Sequence, residues 1–281
     1  ANVFTAVVRA VALAVAAAPS VVVRPSSREA VLAPLLLRAL VEQGSDVRFE
    51  LSENLAPAPG DHVHVYGRSE TIATIEARCS PGVTVRGHGP GFGVVYVSGD
   101  ALDERTTGDL GSVAERVSWD IVAFDQRGCL SPRVAFVEGP PAAAERFASS
   151  LADALERREK EVPRGALTDT ERRERALYRQ TVQAIGPCHD GTTSVVGVDL
   201  DPRAMLIPPT GRHVHVVRIA DPGDMTRLLA PHRTAITCIG VSEPSSCVRS
   251  IAALAPGARI LPLGDMQRPP LDGPVDQRGM L

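Results

Sequence analysis

Lysine is almost missing from this chain: of 30 basic residues only Lys160 is a lysine. It lies in the charged run Glu156-Arg157-Arg158-Glu159-Lys160-Glu161, which cannot desolvate an amine, so Schiff-base chemistry is excluded. The phosphate-gripping pattern GxxxxGK[ST] is absent as well. Five cysteines (Cys79, Cys129, Cys188, Cys238, Cys247) are an odd number, and none are spaced CxxC. Neither a zinc site nor a disulfide framework is indicated, and a reducing cytoplasm is expected. Aromatics are 4% and the formal charge is −3, which leaves no stacking surface and no basic face for nucleic acid. The apolar stretch Val3 to Val23 is broken by Arg9, Pro19 and Ser20 and has no basic leader, so a membrane span is not expected. The chain starts without methionine, directly in that apolar stretch, and an upstream portion is expected.

What is present is an ordinary globular composition, 44% hydrophobic and 22% charged, in 281 residues. Helical spacing appears over 4–18, 28–43, 71–78 and 109–123, over the long charged stretches 141–162 and 168–185, and near 245–254. Short β-rich runs alternate with them at 20–24, 47–51, 62–66, 84–86, 93–97, 133–137, 192–198, 213–219 and 234–241. Strand–helix alternation of this kind predicts an α/β fold with a parallel sheet covered by helices. The break Gly87-His88-Gly89-Pro90-Gly91 marks a domain boundary.

The segment Phe124-Asp125-Gln126-Arg127-Gly128-Cys129-Leu130-Ser131-Pro132 puts a cysteine in a turn between an amphipathic helix and a strand. A thiolate there could attack an acyl group and hold it as a thioester, provided the site helps it ionise. A helix ending just before Cys129 would oppose ionisation with its negative end. A lone cysteine is more often a small buried apolar residue. Cys79 and Cys238 read as structural, and Cys188-His189-Asp190 as a loop, because adjacent residues seldom face each other. His213 and His215 share a strand face, as do His62 and His64, but neither pair has a third ligand nearby, so no metal site is predicted.

The cysteine segment resembles the active-site signature F/Y-D-Q-x-x-C-x-S of the LuxC-type acyl-CoA reductases, the fatty-acid reductases within the aldehyde dehydrogenase superfamily. Ala1-Asn2-Val3 resembles that family's G-N-V element, and Val22-Val23-Arg24-Pro25-Ser26-Ser27 its V-x-K-P-[AS] strand end. Tyr66-Gly67-Arg68-Ser69-Glu70 resembles its cofactor-side turn, and Met266-Gln267-Arg268-Pro269-Pro270-Leu271-Asp272-Gly273 its M-Q-x-P-P-x-D-G segment. The cysteine signature and the last segment are the specific matches.

The resemblance implies an aldehyde-dehydrogenase-like α/β fold: a Rossmann-like dinucleotide-binding domain over 1–87, an α/β catalytic domain over 88–262, and a segment 263–281 returning toward the first domain. It implies reduction of an acyl-CoA, with a fatty acyl chain as the expected substrate, to an aldehyde by NADP chemistry in homo-oligomers. Cys129 would be the nucleophile and Asn2 an oxyanion donor. Arg24 and Ser26 would lie at the ribose, with the arginine fork favouring a 2′-phosphate, and Gly67 and Ser69 at the pyrophosphate. Asn2 also reads as a helix cap, Arg24 as a surface arginine and Gly67 as a plain strand-end turn. Hydrolytic aldehyde dehydrogenases carry a glutamate in E-L-G-G. Aligning Val83 to Gly89 with that element places Arg86 there, so no carboxylate is available to activate water. His88, beside it, is a candidate proton donor, though a structural histidine in a glycine loop is the commoner case. Rival readings are acyl-phosphate reduction, aldehyde oxidation, and a non-catalytic relative that binds a ligand or partner.

Overall fold

The computed structural model describes residues 5–26, 29–46, 49–102, 109–242, 248–273 and 275–278. The chain divides into two compact units, residues 1–90 with 270–279, and residues 91–269 with the last two.

The first unit holds α1 (Ala6–Ala17), β1 (Val22–Val23), α2 (Leu32–Glu42), β2 (Glu50–Leu51), β3 (His62–Tyr66), α3 (Ser69–Glu76) and β4 (Thr84–His88). β1 pairs parallel with β2, and β3 pairs parallel with β4, so each pair with its intervening helix is a βαβ unit. Arg9 of α1 donates to the carbonyl oxygens of Pro270 and Gly273, which fastens the 270–279 segment to this unit.

The second unit is built on a seven-stranded sheet. Its elements are β5 (Phe92–Val97), α4 (Leu110–Val122), β6 (Pro132–Glu138), α5 (Pro141–Glu161), α6 (Asp169–Ile185), β7 (Cys188–Asp190), β8 (Val195–Asp199), β9 (His213–Ile219), α7 (Pro222–Leu229), β10 (Ile236–Val241), α8 (Val248–Leu254) and β11 (Arg259–Pro262). The sheet order is β11-β10-β5-β6-β9-β8-β7, parallel throughout except for the antiparallel edge strand β7. β5 and β10 are buried at every residue, and both read as continuous apolar runs rather than alternating ones, as strands covered on both faces must. One face packs Tyr96, Phe136, Val217 and Ile239 against Met225 and Leu229 of α7 and Ile251 of α8. The helices on this unit start on clear local signals. α5 begins with Pro141 and carries an apolar stripe from Ala144 through Phe147 and Leu151 to Leu155. α6 is started by a Thr168–Glu171 capping box.

The structure departs from expectation at three elements. Cys188-His189-Asp190 is not a loop but strand β7, whose backbone pairs with β8. α7 and β11 were not anticipated. α4 ends at Val122, as the helical spacing over 109–123 leads one to expect, and a differently wound turn separates it from Cys129.

Candidate active site

The six parallel strands of the second unit begin at one end of the sheet, and Cys129 lies in the loop that enters β6 at that end. The loop has an unusual backbone. Phe124, Asp125 and Gln126 sit consecutively in the left-handed region, with φ of 54°, 51° and 63°. Each costs about 1–2 kcal/mol for a residue bearing a Cβ, so the turn persists only if surrounding contacts hold it.

Those contacts come from the polar residues of the signature. One oxygen of Asp125 accepts from Arg212 Nε at 2.9 Å and Nη2 at 2.7 Å, and the other from Gly165 N at 3.0 Å. Gln126 is fully buried. Its Nε2 donates to the carbonyls of Pro132 (2.7 Å) and His213 (2.8 Å), and its Oε1 accepts from His213 N at 2.8 Å. The amide therefore ties the starts of neighbouring strands β6 and β9 together. Arg127 pairs with Glu171 of α6 at 3.1 Å. The Glu171 carboxyl is desolvated, yet hydrogen bonds from Thr168 and Arg127 carry it below its usual range. Asp125, Gln126 and Arg127 thus serve the backbone rather than the reaction.

The cysteine is what this scaffold presents. Cys129 is partly exposed, and its carbonyl accepts from the Thr237 hydroxyl of β10. Cys238 next to it in the fold is fully buried, and burial, then the charges of Asp120 and Cys129, push its thiol far above the ordinary range. Cys238 stays a thiol while Cys129 has access to solvent. Behind the loop, β5 passes so close that a Cβ on Gly93 would lie 2.3 Å from the Leu130 carbonyl oxygen and 2.8 Å from Met266 Cε. Met266 is itself fixed: Asp120 of α4 accepts from Met266 N at 2.9 Å and Gly264 N at 2.7 Å. The start of the M-Q-x-P-P segment therefore lies against the cysteine loop. The buried Asp120 carboxyl is pushed up to about 7 by desolvation, against the lowering effect of those two amides.

In the first unit, Arg24 follows β1 and lines a groove of about 290 Å3 with Glu70, Thr71, Thr74, Ile75 and Arg78 of the α3 region. Gly67 ends β3, and its N–H donates to His88 O at 3.3 Å. Ser69 is the first residue of α3, whose N-cap Arg68 provides no side-chain cap, so first-turn amides face outward without one. Two guanidinium forks and an open helix start suit the ribose phosphate and pyrophosphate of a dinucleotide. Arg78 belongs to this groove and was not singled out from the sequence; its lone position after a short helix gave no signal. Ser26 forms a bridge with Glu29 and does not line the groove.

His88 is not in a glycine loop but is the last residue of β4, paired with Tyr66. Its ring stacks on Tyr66 at 4.3 Å between centroids, and its Nε2 lies 3.0 Å from His64 Nδ1. Desolvation first, opposed by Asp276, lowers its pKa. Asn2 lies outside the described residues. The second unit's His213 and His215 are core residues, and burial lowers them to about 3 and about 4. Among the described residues no group of three or more His, Cys, Asp or Glu could hold a metal ion, and no helix is long and apolar enough to cross a membrane.

Solved structures with this fold are aldehyde dehydrogenases. The NAD-dependent benzaldehyde dehydrogenase of Corynebacterium glutamicum superposes with a TM-score of 0.68 at 16% identity, over 96% of this chain and 62% of that one. The NAD-dependent aldehyde dehydrogenase of Sinorhizobium meliloti gives 0.64 at 15% identity, over 86% and 53%. The NADP-dependent glyceraldehyde-3-phosphate dehydrogenase of Bacillus halodurans C-125, solved with NADP, gives 0.62 at 13% identity, over 89% and 56%. The chain thus spans a little over half the length of the structures it matches, and at these identities the likeness establishes the aldehyde-dehydrogenase fold alone. A comparison with curated proteins gives no match. The acyl-CoA reductase (LuxC) family model matches residues 1–276, nearly the whole sequence. The chain belongs to the LuxC acyl-CoA reductase family.

Proposed function

We propose that this chain carries the core of an NADPH-dependent acyl-CoA reductase that forms an aldehyde through an acyl thioester on Cys129. The observation that supports it most is the placement of a partly exposed cysteine just after a left-handed turn held by the side chains of Asp125 and the buried Gln126. Such a turn is costly and is kept where its geometry is used.

In this reading the Cys129 thiolate attacks the acyl-CoA carbonyl. The carbon–sulfur bond to coenzyme A breaks, coenzyme A leaves as a thiolate that takes up a proton, and the acyl group stays on Cys129. Asn2 is assigned as the donor to the oxyanion of that attack. Arg24 and Arg78, with the α3 amides near Gly67 and Ser69, would hold the dinucleotide. Bound NADPH supplies the hydride that takes the thioester to the aldehyde level. Arg86, standing where hydrolytic relatives have glutamate, leaves water without a carboxylate base, so the thioester persists for reduction. His88 is assigned as the candidate proton donor, and the family suggests that the chains assemble as homo-oligomers.

The test compares NADPH oxidation driven by a fatty acyl-CoA and by the matching acyl phosphate, in wild type and Cys129→Ala. The proposal expects the acyl-CoA to be preferred and the alanine variant to be inactive. Preference for acyl phosphate, or an active alanine variant, overturns it. In the same assay Arg24→Glu should raise the KM for NADPH by about tenfold or more and change that for NADH little, since the guanidinium's charge-assisted bonds go to the extra phosphate.

A further inference from the structure

The two charged helices α5 and α6 are joined by a loop that closes one end of a pocket in the second unit. It encloses about 360 Å3 and is lined by Arg164, Leu167, Arg172, Arg175, Ala176 and Arg179. On α6, positions 172, 175, 176 and 179 recur on one helical face, and Arg164 reaches in from the loop. Two carboxylates touch the four guanidinium groups. Asp169 pairs with Arg172, and Asp190 is shared by Arg175 at 3.1 Å and Arg179 at 3.3 Å. Arg164 donates instead to the carbonyls of Thr193 (2.5 Å) and Gly211 (3.2 Å). The nearby carboxylates of Glu159 and Asp125 are bound by the buried Arg212 at 2.8 and 2.7 Å. With Arg212 included, five cations stand against the four carboxylates Asp169, Asp190, Glu159 and Asp125, which leaves net positive charge at a concave site.

The Nε atoms of Arg164, Arg175 and Arg179 are buried and have no hydrogen-bond partner among the described residues. Desolvation, then the charge of Arg175, lowers the Arg164 pKa, while Glu159 and Asp125 oppose the shift. Buried donors without acceptors and a surplus of like charge are both relieved by one event, the arrival of an anion with several oxygens. Arginine forks match phosphate oxygens bidentately, and a pocket this small admits a pyrophosphate-sized group rather than a peptide or a nucleic-acid strand.

We propose that the Arg164–Arg172–Arg175–Arg179 pocket binds the phosphates of a multiply phosphorylated ligand. Two sources share that chemistry: the nucleotide end of coenzyme A and free inorganic pyrophosphate. The site is argued from its own charge and shape, and it stands whether or not Cys129 carries an acyl group.

The test is calorimetric titration of the full chain with coenzyme A and, separately, with pyrophosphate, in wild type and in Arg172→Gln/Arg179→Gln. The proposal expects one or both probes to bind, more weakly in high salt, and about tenfold or more weakly in the double variant at unchanged Tm. Coenzyme A affinity that falls in the variant, with pyrophosphate failing to bind, assigns the nucleotide source. Pyrophosphate affinity that falls alone assigns the free anion, and both falling together assigns a site for either. If the double variant unfolds, Arg172→Gln alone gives the same readout, because that side chain's carboxylate partner is the exposed Asp169. Failure of both probes to bind wild type, or unchanged affinity for both in a folded variant, overturns the proposal.

Discussion

At the scale of single residues, the signature around Cys129 separates into a group that is presented and groups that present it. Gln126 is the clearest case, since three bonds run from one buried amide to two strands. Replacing it with leucine leaves a carbonyl pair and one N–H buried without their partner, while the left-handed turn keeps its cost. Gln126→Leu should lower the unfolding free energy by about 2–4 kcal/mol in urea titration. It should also slow thiol labelling or acylation at Cys129 by displacing the loop. A variant as stable as wild type would show that the amide is dispensable. The cysteine itself was legible in the sequence because its neighbours match a known signature. The left-handed backbone was not legible. No glycine occupies 124–126, and the groups that stabilise the turn, Gly165, Arg212 and His213, lie 40 to 87 positions further along the chain from their partners.

At the scale of elements, periodicity found the strands and helices that are long or apolar and missed those that are short or polar. β5 and β10 are nearly continuous apolar runs, and β6 and β9 are rich in valine and other apolar residues, and they were visible for that reason. β7 is three polar residues on a sheet edge, and β11 holds an arginine and a proline, so neither carries a β pattern. α7 has only eight residues, yet its start, Asp221 capping with Pro222 at the first position, was written in the sequence. The arginine face of α6 looked like an ordinary solvated face until the preceding loop and the start of β9 folded around it.

Two predictions belong to elements. β5 can pass the cysteine loop only at a residue without a Cβ, and the neighbour it would strike is backbone. Gly93→Ala should therefore cost about 1–3 kcal/mol of stability and reduce Cys129 acylation, measured by urea unfolding and by labelling rate. Equal rates in the two proteins would argue against the contact. β9 carries the second. His213 and His215 are held neutral in the fold, with pKa values near 3 and 4, against 6.5 in the unfolded chain. Above pH 6.5 neither state binds the proton; as the pH falls from 6.5 toward 4 the unfolded chain gains protons that the fold refuses, so stability is lost. Asp120, raised from 3.8 to about 7, acts in the opposite sense and loses stability as pH rises across that window. Two histidines outweigh one carboxyl, so the net slope is acid destabilisation. His215→Phe should remove about 1.4 kcal/mol per pH unit from that slope between pH 6 and 4.5, read from urea unfolding at each pH. An unchanged slope would place the proton elsewhere.

At the scale of the whole molecule, the family match and the fold agree with the order of motifs along the chain. The seven-stranded unit holds Cys129, the proposed nucleophile, and the βαβ units hold the groove proposed for a dinucleotide. Composition contributed mainly exclusions, since the one lysine, Lys160, lies in a charged run that offers no desolvated amine nucleophile, which names no substrate. The central claim is that Cys129 carries the acyl group. Intact-mass and peptide mass spectrometry after brief exposure to a fatty acyl-CoA, with NADPH withheld, tests it directly. The account predicts one added acyl mass, located on the peptide containing Cys129, released by hydroxylamine and absent from Cys129→Ala. An adduct on Cys188 or another residue, or none on a folded protein that still reduces acyl-CoA, would contradict it.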